Sequence, residues 1–412
     1  MFGTLFIKEC KEMLKSITYY IFLACMILFF VMQMGEFKGV IKPEQGQKEY
    51  GYKYSDDKTV IMECTLEELV QEYAGGEYTT YPVGFYKRVT LNEEKQMKVG
   101  KVLQEVTGLN EQQLKSKIGE YLKRTTSEIS KDGHIVKIES AVNYEQFLNY
   151  MEETDDLLGG GSKYSPKQVT GNAKVPKTYE DALKEYEDII YRDKVSGAYA
   201  RLFSDYMGII LAILPVFLAV TRGLRDKRSK ASDVIFSKRA SSISIVLSRY
   251  AATIFMILVP LLLLSVTPAL QSIYCAGSNG VQGDMFAFVK IIFGWLLPTI
   301  LVTVSTGFFF TELTDSPLAI LVQGIWWFMS ILSGMGNLLG TVGLNLVPRF
   351  NTAGAYDTYV QIFDELVKNR LFYSLISIVL LAGTVIIYEL KRKGVLNIHG
   401  KIRTNGKGKL EV

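Results

Sequence analysis

Histidine and cysteine build most metal sites and many catalytic ones, and this sequence is short of both. It holds two histidines, His134 and His399, too far apart for any short metal-binding pattern. Its four cysteines, Cys10, Cys25, Cys64 and Cys275, show no C-x-x-C spacing for zinc or redox work. Cys64 and Cys275 both fall on the side expected to be outside, so they are either a disulfide or two free thiols. No G-x-S-x-G nucleophile turn occurs. The tail from Gly400 to Leu410 imitates a phosphate loop, in which backbone N–H groups cradle phosphates and a final hydroxyl holds magnesium. Five residues separate Gly400 from Gly406 where the loop needs four, and Gly408 stands in place of the hydroxyl. No catalytic residue, metal site or bound cofactor is expected on this chain.

One other stretch has chemistry to offer. Arg222 to Ser242, RGLRDKRSKASDVIFSKRASS, sets seven Lys and Arg around two Asp and an apolar centre of Val234, Ile235 and Phe236. Without interleaved aromatics other than Phe236, it does not read as a nucleic-acid surface. Its setting explains it better. The 412-residue chain is 48% hydrophobic and only 21% charged, with a net charge of +4. Its mean hydropathy is +0.16. That balance points to a membrane protein.

About 20 apolar helical residues cross a bilayer core, and six runs qualify. They are residues 17–34, 202–221, 246–270, 285–310, 317–340 and 371–390. Lys8, Lys11 and Lys15 before the first run, and FLAC around Cys25, resemble a signal peptide. The apolar stretch continues through Val31 without a small-residue cleavage site, so an uncleaved span is expected. Positive residues resist translocation. They crowd residues 1–16, 222–245 and 391–412 and are absent from Gln271–Asp284, which puts both termini and the Arg222 segment in the cytoplasm. The loop Val347–Arg370 is expected outside. Asp205, Arg249, Lys290 and Glu389 lie near span ends and are expected to snorkel to the interface. No buried ion-coupling relay is therefore foreseen.

The expected fold is an all-α polytopic membrane protein of six transmembrane helices. A large, mainly helical extracytoplasmic domain with minor β structure, residues 35–201, is inserted between helices 1 and 2. Helical periodicity marks Thr65–Gly75, Leu91–Leu109, Asn110–Gly133 and the approach to the second span. His134–Val142 looks β-like, and the Gly-rich Leu157–Lys177 reads as a mobile linker. Phe2, Leu5, Phe6, Met13 and Leu14 with three lysines suit an amphipathic interfacial helix, residues 1–16. Gly334, Gly336, Gly340 and Gly343 before Pro348 suggest a re-entrant segment after the fifth span.

This order of elements, with DVIFSKRASSISIVLSRYAA (Asp233 to Ala252) leading into the third span and YELKRKG (Tyr388 to Gly394) ending the last, resembles the ABC-2 permeases. Lys238 stands where many members have Pro. The resemblance covers Met1–Met34 and Leu202–Gly394, about half the chain. It implies a plasma-membrane permease, bacterial in type, paired with a second copy or a related permease. Two separate cytoplasmic ABC ATPase subunits would bind the ATP and Mg. It also implies that the loop after the second span docks on the ATPase, which would assign coupling to Asp233, Val234, Ile235, Phe236, Lys238 and Arg239. The basic residues serve equally as topology and lipid-headgroup charges.

Glu312 and Asp315 are candidates for a second cytoplasmic contact or for helix capping. Gln323, Trp326, Trp327 and Asn337 are candidates for a translocation path, or for packing and lipid anchoring. Membrane lipid is the remaining expected partner, and nucleic acid is not. The leading expectation is the permease of an ATP-driven exporter. The alternatives are a membrane-anchored sensor or adaptor that binds a peptide, antibiotic or envelope ligand through residues 35–201, and a secondary transporter or channel.

Overall fold

The computed structural model describes residues 2–35, 37, 39–81, 86–123, 138–166, 168–229, 235–237, 239–334 and 339–396. In chain order, helices α1 (Phe2–Met13) and α2 (Ile17–Met34) precede β1 (Tyr52–Tyr54), α3 (Lys58–Gly75), β2 (Tyr78–Thr80), β3 (Lys87–Val89) and α4 (Glu93–Thr107). Next come α5 (Glu111–Lys123), α6 (Tyr144–Leu158), β4 (Lys174–Pro176), α7 (Tyr179–Glu187), α8 (Ser196–Leu211) and α9 (Pro215–Arg228). The remainder is α10 (Ser242–Ser278), α11 (Ala287–Ile291), α12 (Leu297–Thr314), α13 (Leu318–Gly334), β5 (Leu339–Thr341), β6 (Arg349–Phe350) and α14 (Tyr356–Arg392). The chain divides into two units, one within residues 42–186 and one built from the chain on either side of it.

The 42–186 unit buries a helical core at the spacing a helix face requires. Leu66, Leu69 and Val70 of α3 meet Val99, Val102, Leu103 and Val106 of α4 and Phe147 and Met151 of α6. Asp57, Asn92 and Asn143 cap α3, α4 and α6 by accepting from the N–H groups of Thr59, Lys95 and Gln146. Each such cap contributes about 1 kcal/mol. Strands are short: β1 pairs with β4 and β2 with β3, both antiparallel.

Two expectations fail in this unit. Leu157–Lys177 is not a mobile linker over its described residues. It holds a 3-10 turn at Val169–Asn172 and strand β4, and it buries Tyr164, Val169 and Ala173 completely. Tyr164 donates to Glu72 at 2.6 Å. Gly159, Gly160 and Gly161 all have positive φ and turn the chain back on itself, which composition alone reads as looseness. Of the β-like stretch, residues 134–137 lie outside the described residues. Residues 138–142 form no strand, yet Ile138 is buried and the Ala141 N–H donates to the Val106 carbonyl at 2.7 Å.

In the other unit, among the described residues, five helices are long and apolar enough to cross a membrane: Ile17–Met34, Ser196–Arg228, Ser242–Ser278, Ala287–Thr314 and Tyr356–Arg392. Leu318–Ser333 is apolar but shorter. Along α2 only Tyr19, Phe22 and Met26 are buried, one stripe at i, i+3 and i+7. Leu371, Leu375, Ile378, Val379 and Ile386 of α14 are exposed although apolar. An apolar surface on this scale belongs in lipid. Small residues let α9 and α12 approach closely. A methyl group added at Gly307 would lie 2.5 Å from the Ala219 Cβ, and one at Gly223 would lie 2.9 Å from Thr311 Cγ2.

The loop expected over Val347–Arg370 is helical from Tyr356 onward, because Tyr359, Phe363 and Leu366 extend the apolar face of the last span outward at helical spacing. The re-entrant segment expected up to Pro348 is instead a hairpin of β5 against β6, residues 335–338 lying outside the described residues. Side chains of α14 secure it. Asn369 Nδ2 donates to the Gly343 carbonyl at 2.7 Å, Tyr373 to the Leu344 carbonyl at 2.6 Å, and Arg370 to the carbonyls of Asn345 and Leu346 at 3.4 Å each.

The snorkelling expected of Asp205 and Arg249 is also overturned. Asp205 is fully buried. It takes both Nε and Nη2 of Arg349 at 3.0 and 3.1 Å, and the Phe350 N–H at 2.6 Å. A fixed partner on β6 thus replaces the water that snorkelling would have supplied. Arg249 is likewise buried and ion-paired to Asp226.

Candidate functional site

At the end of the helices where α1, α9 and α10 meet the last turn of α14, oppositely charged side chains from separate elements converge. Glu9 of α1 faces Arg222 of α9, with Arg222 Nη2 2.6 Å from Glu9 Oε1. Arg222 also bonds Asp226 at 3.2 Å, one turn along its own helix. Asp226 pairs with Arg249 of α10, whose Nε lies 3.8 Å from Glu9. Two carboxylates and two guanidiniums therefore neutralise each other with little exposure. An ion of this group left unpaired would cost several kcal/mol, roughly 3–5 by analogy with other buried pairs. Beside them, Arg225 pairs with Glu12 and holds its carboxyl below the usual range, chiefly through their hydrogen bond.

A second group ties α12 to α14. Lys391 lies 2.8 Å from Asp315 and 3.3 Å from Glu312, and Lys227 lies 3.8 Å from Asp315. Asp315 is itself the left-handed C-cap of α12, with φ 53°. Glu312 and Asp315 thus contact the end of the last helix within this chain.

Of the six residues expected to couple, Ile235, Phe236 and Arg239 are described. Asp233, Val234 and Lys238 lie outside the described residues. Ile235 and Phe236 are half-buried and Arg239 is exposed. The Phe236 ring meets Tyr388 edge-on, with centroids 5.5 Å apart. Ile235 and Phe236 pack beside Ile245, Val246 and Tyr388. Arg392 donates to the Phe236 carbonyl at 3.0 Å and to the Ala240 carbonyl at 2.6 Å. Ile235, Phe236 and Ala240 are therefore fastened to α14. The Arg249 guanidinium lies 5.6 Å from the Tyr388 ring centroid and joins this attachment to the ion-pair group.

Gln323 and Trp327 serve a backbone need. Pro215 has no N–H, and the chain between α8 and α9 breaks at Ala212–Leu214. This frees carbonyls that cannot be left bare inside a membrane. Gln323 Nε2 donates to the Ala212 carbonyl at 2.7 Å, and Trp327 Nε1 to the Ile209 carbonyl at 2.8 Å. Trp326 packs tilted on Tyr373, at 5.8 Å between centroids. Asn337 lies outside the described residues. Cys64 and Cys275 are both buried, and each is a free thiol. Among the described residues no group of His, Cys, Asp and Glu could hold a metal ion.

A family model described as ABC-2 family transporter protein matches residues 56–390. The chain belongs to the ABC-2 transporter family. No match was found among curated proteins or among solved structures. As an ABC-2 family member with several membrane-length apolar helices, the chain is a multi-pass membrane protein and the permease component of an ABC transporter, not itself a catalyst. Such permeases generally work with cytoplasmic ABC ATPases. The match also runs through the 42–186 unit, which the resemblance in the sequence left aside.

In this ABC-2 transporter, sequence reasoning missed Glu9, Asp226, Tyr388, Lys391 and Arg392. Two of them carry a signal in hindsight. Glu9 lies between Lys8 and Lys11, and Asp226 between Arg225 and Lys227. A single carboxylate inside a basic cluster is a candidate internal partner rather than a surface charge.

Proposed function

We propose that the chain is the membrane subunit of an ATP-driven exporter energised by a separate cytoplasmic ATPase, which binds the ATP and Mg. Both termini and the segment around Phe236 face the cytoplasm of a bacterial cell, and the 42–186 unit is extracytoplasmic. The subunit works with a second copy or a related permease. In this reading α13 is a sixth span. It is about 25 Å long at 1.5 Å per residue, and its exposed Leu321, Ile325 and Met329 form one lipid-facing stripe.

The observation that carries the coupling role is the pair of hydrogen bonds that Arg392 donates to the Phe236 and Ala240 carbonyls. An ATPase gripping Ile235, Phe236 and Arg239 from below would pull on α14 through Arg392. It would pull on α1, α9 and α10 through the charge group around Asp226. Coupling needs such a connection between two discrete arrangements of the helices. The test is isolation of the intact protein from its native membrane. The proposal expects a Walker-motif ATPase to come with it and to hydrolyse ATP. Recovery of the protein free of any ATPase, with transport activity intact, would overturn it.

A further inference from the structure

At the opposite end of the membrane unit, a cavity of about 750 Å³ lies between the start of α8, α11 with the first turn of α12, and one face of α14. This is within the range of small-molecule sites. Its residues on α14 run from Tyr356 to Ser374, a length of about 27 Å. The cavity thus runs lengthwise along α14. The apolar run Leu371–Leu390 accounts for about 30 Å of helix. The lower end of the cavity therefore meets the edge of the hydrocarbon layer, and the rest rises beyond it.

The two parts of the lining differ in chemistry. Trp295, Ile291, Phe363, Leu366 and Val367 make an apolar middle. The end away from the membrane carries Arg192, Lys194, Arg201 and Lys290. Over the whole lining five cations, Arg370 being the fifth, face two carboxylates, Asp193 and Asp284. Asp193 is taken by Arg201 and Asp284 by Lys290, the latter at 2.7 Å. Arg192 is shared with Asp188 and Asp357. Arg201 is 2% exposed, sits 4.4 Å from the Tyr359 ring centroid, and keeps one buried donor, its Nε–H, without an acceptor. That N–H is closed off from the cavity, so Arg201 adds positive charge behind the wall, while the exposed Lys194 and Lys290 bring charge to its surface.

We propose that this cavity binds a single-chain anionic amphiphile, with its acyl chain along the apolar slot and its carboxylate or phosphate at the cationic end, beside Lys194 and Lys290. This names a substrate class for the exporter proposed above and rests on that reading.

The test uses the full-length protein without ATPase. Bromine on the chain of a probe quenches tryptophan on contact, and Trp295 lines the slot. Brominated lysophosphatidylglycerol and a brominated fatty acid should quench saturably, and Trp295→Phe should remove that saturable part. Brominated monoacylglycerol, which has no anionic head, should bind at least about tenfold more weakly, as loss of a charge-assisted contact implies.

Gly294 lines the cavity, and a methyl group there meets nothing within 4 Å. Gly294→Leu should therefore fill the slot and weaken all probes. The exposed-site double variant Lys194→Gln with Lys290→Gln should weaken the anionic probes alone, even if Gly294→Leu fails to fold. Equal binding of neutral and anionic chains, or anionic binding untouched by the double variant, overturns the proposal. Preference between the lysolipid and the fatty acid tells a phosphate lipid from a free carboxylate. Probe binding here, together with isolation from the native membrane that recovers no ATPase, would sink the exporter reading and leave the site standing; recovery of an ATPase with no probe binding would do the reverse.

Discussion

Asp205→Ala should be among the most damaging single changes in the membrane unit. The substitution strands the buried Arg349 guanidinium and removes the acceptor of the Phe350 N–H. Breaking a buried pair from one side costs about 3–5 kcal/mol, and an unmet N–H about 1–3 kcal/mol. The two overlap, so about 4 kcal/mol is a fair total. At about 2–4 °C per kcal/mol the melting temperature should fall by about 8–16 °C. The buried, free thiol of Cys275 supplies the assay. In a background where it is the sole cysteine, a thiol-reactive dye reports unfolding of this unit in detergent. Replacing both partners, Asp205→Leu with Arg349→Met, should recover most of the loss, since a hydrophobic pair can stand in for a buried ionic one. The reasoning fails if the single variant melts within about 2 °C of the parent, or if the double variant is no better than the single.

Two further outcomes follow from close packing and burial. Gly307→Ala should cost about 1–3 kcal/mol by overpacking against Ala219, and Ala219→Gly in the same chain should restore the melting temperature, which thermal unfolding would measure. Burial pushes the Cys64 thiol up to about 11. Its reactive thiolate is therefore scarce at neutral pH and grows as pH rises towards that value. Maleimide labelling followed by mass spectrometry should find Cys64 slow at pH 7.5 relative to the same thiol in denaturant, and accelerating with pH. Equal rates in the folded and denatured protein would contradict this.

The apolar helices were legible because a membrane imposes a length and a composition that a sequence displays directly. Their ends were not. The extension of α14 back to Tyr356 depends on Tyr359, Phe363 and Leu366, which read equally as an amphipathic loop until a facing wall is known. The partners of Asp205 and Arg249 were hidden for the same reason. Arg349 is 144 residues from Asp205, and nothing local distinguishes a charge that snorkels from one that is paired. Gln323 and Trp327 stood out as polar groups in an apolar run. Their present use, meeting carbonyls freed at Pro215, could have been guessed only by asking where the backbone at that proline finds donors. Of the coupling segment, the apolar Ile235 and Phe236 were visible, whereas the Arg392 clasp on their backbone left no trace in residue spacing.

The central claim is that the Phe236 segment transmits ATPase movement to the membrane helices through Arg392. The most direct measurement is ATP hydrolysis and export together, in the complete complex reconstituted in vesicles, for the parent, Phe236→Asp and Arg392→Ala. The account predicts that Phe236→Asp weakens ATPase binding, whereas Arg392→Ala still binds and hydrolyses ATP but exports far less per ATP consumed. Export per ATP unchanged in Arg392→Ala, with the parent's melting temperature retained, would contradict it.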